Sequence, residues 1–134
     1  MTLKIVRDSI DLGIVTANES AMREFYQELL GLEEVGEVPI EKVGRIIKLQ
    51  CGTSVIKLFV LNDPPQADAA ANHYLAVTGL RYFTIHIGNL RQVIEECRVK
   101  GVNIVNDIVE PRPGVMAALI ADPDGNTVEL MESA

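Results

Sequence analysis

No apolar run in this 134-residue chain is longer than the seven residues Val115–Ala121. That is far short of the roughly 20 needed to cross a bilayer. Near the N-terminus Lys4, Arg7, Asp8 and Asp11 interrupt any apolar segment, so no signal peptide is expected and the cytoplasm is the expected location. There are only two cysteines, Cys51 and Cys97, each alone in apolar surroundings. They read as small buried hydrophobes, not as a disulfide or a metal pair. Basic residues are outnumbered, 12 against 19 acidic, for a net charge of −7. No cluster of Lys and Arg supplies the basic face that nucleic-acid binding needs, and no basic amphipathic helix suits a membrane surface. Phosphate loops and dinucleotide-binding glycine fingerprints are also absent.

What is present is an ordinary globular composition, 48 % apolar and 23 % charged, enough for one compact domain. The acidic balance suits solubility and is compatible with a small cationic ligand.

A repeat runs through the chain. Residues 9–16 read as a strand and 18–30 as a helix, with Thr16 and Glu19 spaced for a capping box. Met22, Phe25, Leu29 and Leu30 line one face of that helix, and Gly31 is placed to stop it. Strands follow at 33–38, 43–51 and 53–61, the last two joined by a tight turn at Cys51-Gly52. After a linker, 62–79, the order returns: strand 80–88, a helix opened by Asn89 with Gln92 and stopped at Gly101, then strands 102–108, 115–121 and 126–131. Leu90, Val93, Ile94 and Cys97 share one face of the second helix. An Asp-Gly step joins the last two strands. The two stop glycines lie 70 positions apart. The chain thus reads as one domain of two βαβββ modules, 1–61 and 80–134.

Alternation assigns the faces. Ile10, Leu12 and Ile14 share one side of the first strand; Asp11, Gly13 and Val15 share the other. In the same way Ile56, Leu58 and Val60 oppose Lys57 and Phe59, Phe83 and Ile85 oppose Tyr82, Thr84 and His86, and Val128 and Leu130 oppose Glu129 and Met131. Each helix must cover an apolar face. The mixed faces then have to line something else, and a ligand-sized cavity fits.

The stretch from Phe25-Tyr26 to Leu30-Gly31-Leu32 resembles the helix ending of the vicinal-oxygen-chelate superfamily, and Asp122-Pro123-Asp124-Gly125-Asn126 with Glu129-Leu130 resembles its terminal hairpin. That superfamily includes glyoxalase I, bleomycin-resistance proteins and extradiol dioxygenases. The resemblance implies an α+β fold in which paired βαβββ modules form a cup-shaped mixed sheet, assembled as a homodimer. Metal-dependent members carry four ligands, usually His, Glu or Gln, His and Glu, on the first and last strands of each module. Laid onto this sequence, those places fall on Asp11, Lys57, Tyr82 and Glu129, at internal offsets of 71 and 72. These are also polar positions that alternation puts on the mixed faces.

Only Glu129 matches the usual ligand type. Asp11 has the chemistry but less reach, and a phenol such as that of Tyr82 binds divalent cations poorly unless ionised. Lys57 is the decisive departure, because an ammonium has three donors and no lone pair. Two unit charges about 4 Å apart repel by roughly 4 kcal/mol at an effective dielectric near 20. Lys57 is therefore expected to pair with Glu129, with Asp11 or with both, and no cofactor is expected. The alternative is a divalent metal held by Asp11 and Glu129.

Two functions follow from that set. One is metal-free binding of a small molecule, a cationic one included, as in the bleomycin-resistance group. Asp11, Lys57, Tyr82, His86 and Glu129 would line the site, with Phe59, Met116 and Met131 as contact surface. The other is a glyoxalase-like lyase or isomerase, or a dioxygenase, with Lys57 stabilising an oxyanion and Glu129 or His86 moving the proton. Blander readings stand beside these: a residual ion pair for Lys57, a half-buried aromatic for Tyr82, a structural histidine at 86 and a solvated one at 73. Arg45 and Arg112 are either surface residues or anion contacts. The 122–126 stretch lacks the glycine and glutamate spacing of a calcium loop and reads as a turn.

Overall fold

The computed structural model describes residues 1–67 and 72–134. The chain forms two compact units, Met1–Gln66 and Ala67–Ala134. The expected linker, 62–79, falls partly on positions 68–71, outside the described residues.

The first unit runs β1 (Leu12–Thr16), α1 (Glu19–Arg23), a π-helical turn (Glu24–Leu29), β2 (Glu33–Ile40), β3 (Gly44–Cys51) and β4 (Ser54–Leu61). The second runs β5 (Tyr82–His86), α2 (Leu90–Val99), β6 (Ile104–Arg112), β7 (Val115–Ala121) and β8 (Thr127–Ser133). Each has a four-stranded mixed sheet, ordered β1-β4-β3-β2 and β5-β8-β7-β6. The outer strand that opens each unit is parallel to the strand that closes it, and the other pairings are antiparallel. The architecture is α+β, with the same order of elements twice.

Gly31 and Gly101 both take the left-handed conformation, at φ 77° and 71°, which glycine reaches without steric cost. Both therefore stop their helices as the spacing predicts. The first helix differs in its interior. Its second half widens into a π turn, with the Leu30 N–H donating to the Phe25 carbonyl at 3.0 Å. The wider turn brings the consecutive side chains Phe25 and Tyr26 into the core together with Met22, their rings edge to face at 4.8 Å. Leu29 and Leu30, expected in the core, are only half-buried.

Neither predicted capping box forms. Thr16 Oγ1 accepts the N–H of Asn18 at 2.9 Å, and Glu19 turns to Arg23 and Arg45. At α2 the amide of Asn89 bonds the side chain of Gln92 at 3.3 Å. The cap comes instead from β8, where Glu132 Oε1 accepts the Leu90 N–H at 2.7 Å. A carboxylate there satisfies an orphan donor and faces the positive end of the helix.

Ile47, Leu49, Ile56 and Leu58 form the buried layer of the first sheet, and Ala118, Ile120, Val128 and Leu130 the corresponding layer of the second, with Leu90, Ile94 and Cys97 of α2. Arg45 shares the Ile47 and Leu49 side of β3 and bonds Glu19 of α1, so helix and buried layer lie on one side of the sheet. The opposite side of each sheet is called the open face below.

Candidate functional site

On the first sheet's open face the register aligns a row across all four strands: Gly13 of β1, Lys57 of β4, Lys48 of β3 and Gly36 of β2. Phe59 lies on the same face, opposite Val15 and Ile46. Asp11, expected inside the first strand, sits one residue before it. Its Oδ1 accepts the Val55 N–H at 3.1 Å, prolonging the β1–β4 pairing by one side-chain bond. Its Oδ2 lies 3.7 Å from Lys57 Nζ, the outer limit of an ion pair. Both side chains are about one-third exposed, so this contact contributes at most about 1 kcal/mol.

The corresponding row of the second sheet is Thr84, Glu129, Leu119 and Asn106. Glu129 therefore holds the register position in its sheet that Lys57 holds in the first. Thr84 Oγ1 donates to Glu129 Oε1 at 2.6 Å, a charge-assisted bond that fixes the carboxylate. Tyr82 and His86 flank Thr84 on β5, opposite Thr127 and Met131, and both are exposed. The Tyr82 ring meets that of Tyr74 edge-on at 5.9 Å.

Met116 does not join this face. Its register partner is Glu132, on the helix-covered side, and its sulfur faces the Arg91 guanidinium at 3.6 Å. The strand period of two puts it opposite Ala117 and Leu119. It is therefore removed from the contact surface expected around Glu129.

Other charged candidates have local partners. Arg45 is held by Glu19 and Glu37. Burial raises the Glu19 pKa, but hydrogen bonds from Arg45 and Arg23 outweigh it and hold the carboxyl below its ordinary value. Arg112 ends β6 rather than lying in a loop. His73 Nδ1 accepts the Leu75 N–H at 3.3 Å. In the β7–β8 hairpin Asp122 Oδ1 accepts the N–H groups of Asp124 and Asn126, at 3.0 and 2.9 Å. That carboxylate builds the turn. Burial pushes both thiols, Cys51 and Cys97, above their ordinary pKa, which makes them poor nucleophiles.

The expected metal positions are occupied by Asp11, Lys57, Tyr82 and Glu129. Lys57 supplies an ammonium in place of a lone pair, Asp11 is bonded to a backbone N–H, and Glu129 is bonded to a hydroxyl. Among the described residues no three His, Cys, Asp or Glu side chains come together as a donor set. Sequence reasoning missed Lys48, and it placed Thr84 on the mixed face without its bond to Glu129. Lys48 was within reach, because the two-residue turn at Gly52 and Thr53 fixes the β3–β4 register and alternation fixes the face.

Two units of the same βαβββ order define a recurrent fold class. Residues 10–130 match the model of the Glyoxalase/Bleomycin resistance protein/Dioxygenase superfamily, and the chain belongs to that superfamily. An uncharacterised protein of Bacillus subtilis strain 168, YwkD, is 27 % identical over 124 residues, covering 90 % of this chain and 93 % of that one. Among solved structures, a glyoxalase family protein from Bacillus cereus superposes with a TM-score of 0.81 at 19 % identity, over 98 % of this chain and 96 % of its own. The trypanothione-dependent glyoxalase I of Leishmania major superposes with a TM-score of 0.70 at 20 % identity, over 91 % of this chain and 84 % of its own. At such identities the likeness is one of fold.

Proposed function

We propose that this protein binds a small molecule against the open face of a sheet and does so without a divalent metal. One observation carries the reading: Lys57 puts an ammonium where metal-dependent relatives are expected to keep a ligand, and that ammonium lies 3.7 Å from the carboxylate at a second such position. A cation there would face like charge and compete for Asp11. Lys57, Asp11 and Phe59 are the contact residues of the first unit's open face, and Tyr82, His86, Glu129 and Met131 those of the second's. Glu129, already oriented by Thr84, suits a cationic or hydrogen-bond-donating group. The protein would work in the cytoplasm as a homodimer.

The test is a thermal-shift screen of small charged and neutral molecules with chelator present, followed by calorimetric titration of hits and a light-scattering mass. Stabilising hits that persist in chelator and weaken in Lys57→Met support the reading. Hits that need added metal contradict it.

A second reading is favoured by the looseness of the Lys57–Asp11 contact, which leaves ammonium donors free to meet an oxyanion. In that reading the protein is a lyase or isomerase in which Lys57 stabilises developing negative charge. Turnover of hemithioacetals or acyl-CoA thioesters that is lost in Lys57→Met would establish it. Turnover unchanged in that variant would exclude it.

A further inference from the structure

The row Gly13–Lys57–Lys48–Gly36 is unusual for a sheet. Two ammonium-bearing side chains are direct register partners on β3 and β4, an arrangement that costs stability because like charges sit side by side. Only Lys57 has a carboxylate within 4.0 Å; among the described residues Lys48 has none. Asp11 is the carboxylate within 4.0 Å of the pair, and Glu33, opposite Gln50, lies at the next position on the same face.

Glycines flank the lysines on both outer strands, and neither is needed there for its conformation. Gly13 and Gly36 do not adopt positive φ. A Cβ on Gly13 would meet nothing within 4 Å, and one on Gly36 would meet only Lys48 Cδ at 3.8 Å, an ordinary contact. Interior strand glycines weaken a sheet and often mark where a ligand or another backbone approaches closely. Here they leave the two ammonium groups standing beside floor without side chains.

We infer that this row is an oxyanion subsite: Lys48 and Lys57 together grip a phosphate or carboxylate group of the bound small molecule, which lies over Gly13 and Gly36. An anion between the lysines relieves their repulsion and accepts charge-assisted hydrogen bonds from both. Lysine suits this role as a flexible point charge with three donors. The inference rests on the reading of a metal-free binding site and names the chemistry that one part of it selects.

The probes are inorganic phosphate and acetate, titrated into the full chain and followed by backbone amide shifts, with tetramethylammonium as the cationic control. Saturable shifts confined to Gly13, Lys57, Lys48, Gly36 and their neighbours, with either anion and not with the cation, are expected. The stronger of the two anions identifies the group. Lys48→Met, which keeps the aliphatic stem, should weaken anion binding roughly tenfold, the loss of one charge-assisted hydrogen bond. Gly13→Val, which keeps both charges and fits a strand, should weaken it by occupying the floor and serves if Lys48→Met does not fold. Absence of a saturable response to both anions, or a response that both variants leave unchanged, overturns the inference. A parallel Zn²⁺ titration separates the two levels. Stoichiometric Zn²⁺ uptake overturns the metal-free reading, whereas silence toward both anions in a protein that takes up no Zn²⁺ overturns the oxyanion subsite alone.

Discussion

The ammonium nitrogen of Lys57 lies 3.7 Å from Asp11 Oδ2, while Asp11 Oδ1 holds the Val55 N–H at 3.1 Å. The two side chains are thus linked loosely to each other, and one of them is anchored firmly to the backbone. Lys57→Met should accordingly change unfolding free energy by less than about 1 kcal/mol, since the pair is partly exposed and long. Asp11→Ala should cost more, because a backbone donor at the start of the β1–β4 pairing loses its acceptor. Urea denaturation of both variants checks the order.

Arg45, Glu19, Arg23 and Glu34 tie α1 to β3 and β2. Glu19→Gln should cost roughly 0.5–1 kcal/mol at neutral pH, the scale of a partly exposed ion pair. The pKa of Glu19 is lower in the folded chain than in the unfolded one. Its contribution is therefore complete above the ordinary carboxylate range and is lost as the pH falls through the folded value. Stabilities of wild type and Glu19→Gln should converge in acid; denaturation at several pH values measures this.

Glu132 caps α2 from a strand, and Asn89, though at the N-cap, makes no side-chain cap bond. Glu132→Ala should cost about 1 kcal/mol, as loss of a cap and of a favourable charge at the helix N-terminus. Asn89→Ala should cost distinctly less. The ordering of the two thermal midpoints is the observable.

Asp122 is 4 % exposed, and its carboxylate takes two backbone N–H groups and the Asn126 amide. Asp122→Ala should destabilise by roughly 2–3 kcal/mol, because it leaves buried donors unpaired. Calcium should leave the wild-type midpoint unmoved, since this carboxylate is used up in the turn. Calorimetry with and without the ion reads both effects.

Much of the fold was legible because its signals are local. Gly31 and Gly101 stop their helices at the expected places, and the strand alternation around Lys57 and Glu129 survives in the register. Failures arose where a distant or competing partner decides. Glu132 reaches α2 from 42 residues away, and no spacing near Asn89 announces it. Thr16 and Glu19 have capping-box spacing, but Arg45, 26 residues from Glu19, competes for the carboxylate. The π turn that buries Tyr26 changes the helical period, so the face counted at 3.6 residues per turn drifts onto Leu29 and Leu30. Met116 is expected on the contact surface, yet period-two counting along β7 puts it on the helix side. Lys48 shows the reverse case: turn length and alternation held its position, but only pairing it with Lys57 makes that position informative.

Metal uptake tests most directly whether the site works without a divalent ion. Protein purified without chelator and then titrated with Zn²⁺, Ni²⁺ and Mn²⁺ should carry no stoichiometric metal and show no saturable heat, whereas Lys57→Glu, which restores a ligand beside Asp11, should gain affinity. One tightly held divalent ion per wild-type chain, lost on changing Asp11 or Glu129, would contradict the account.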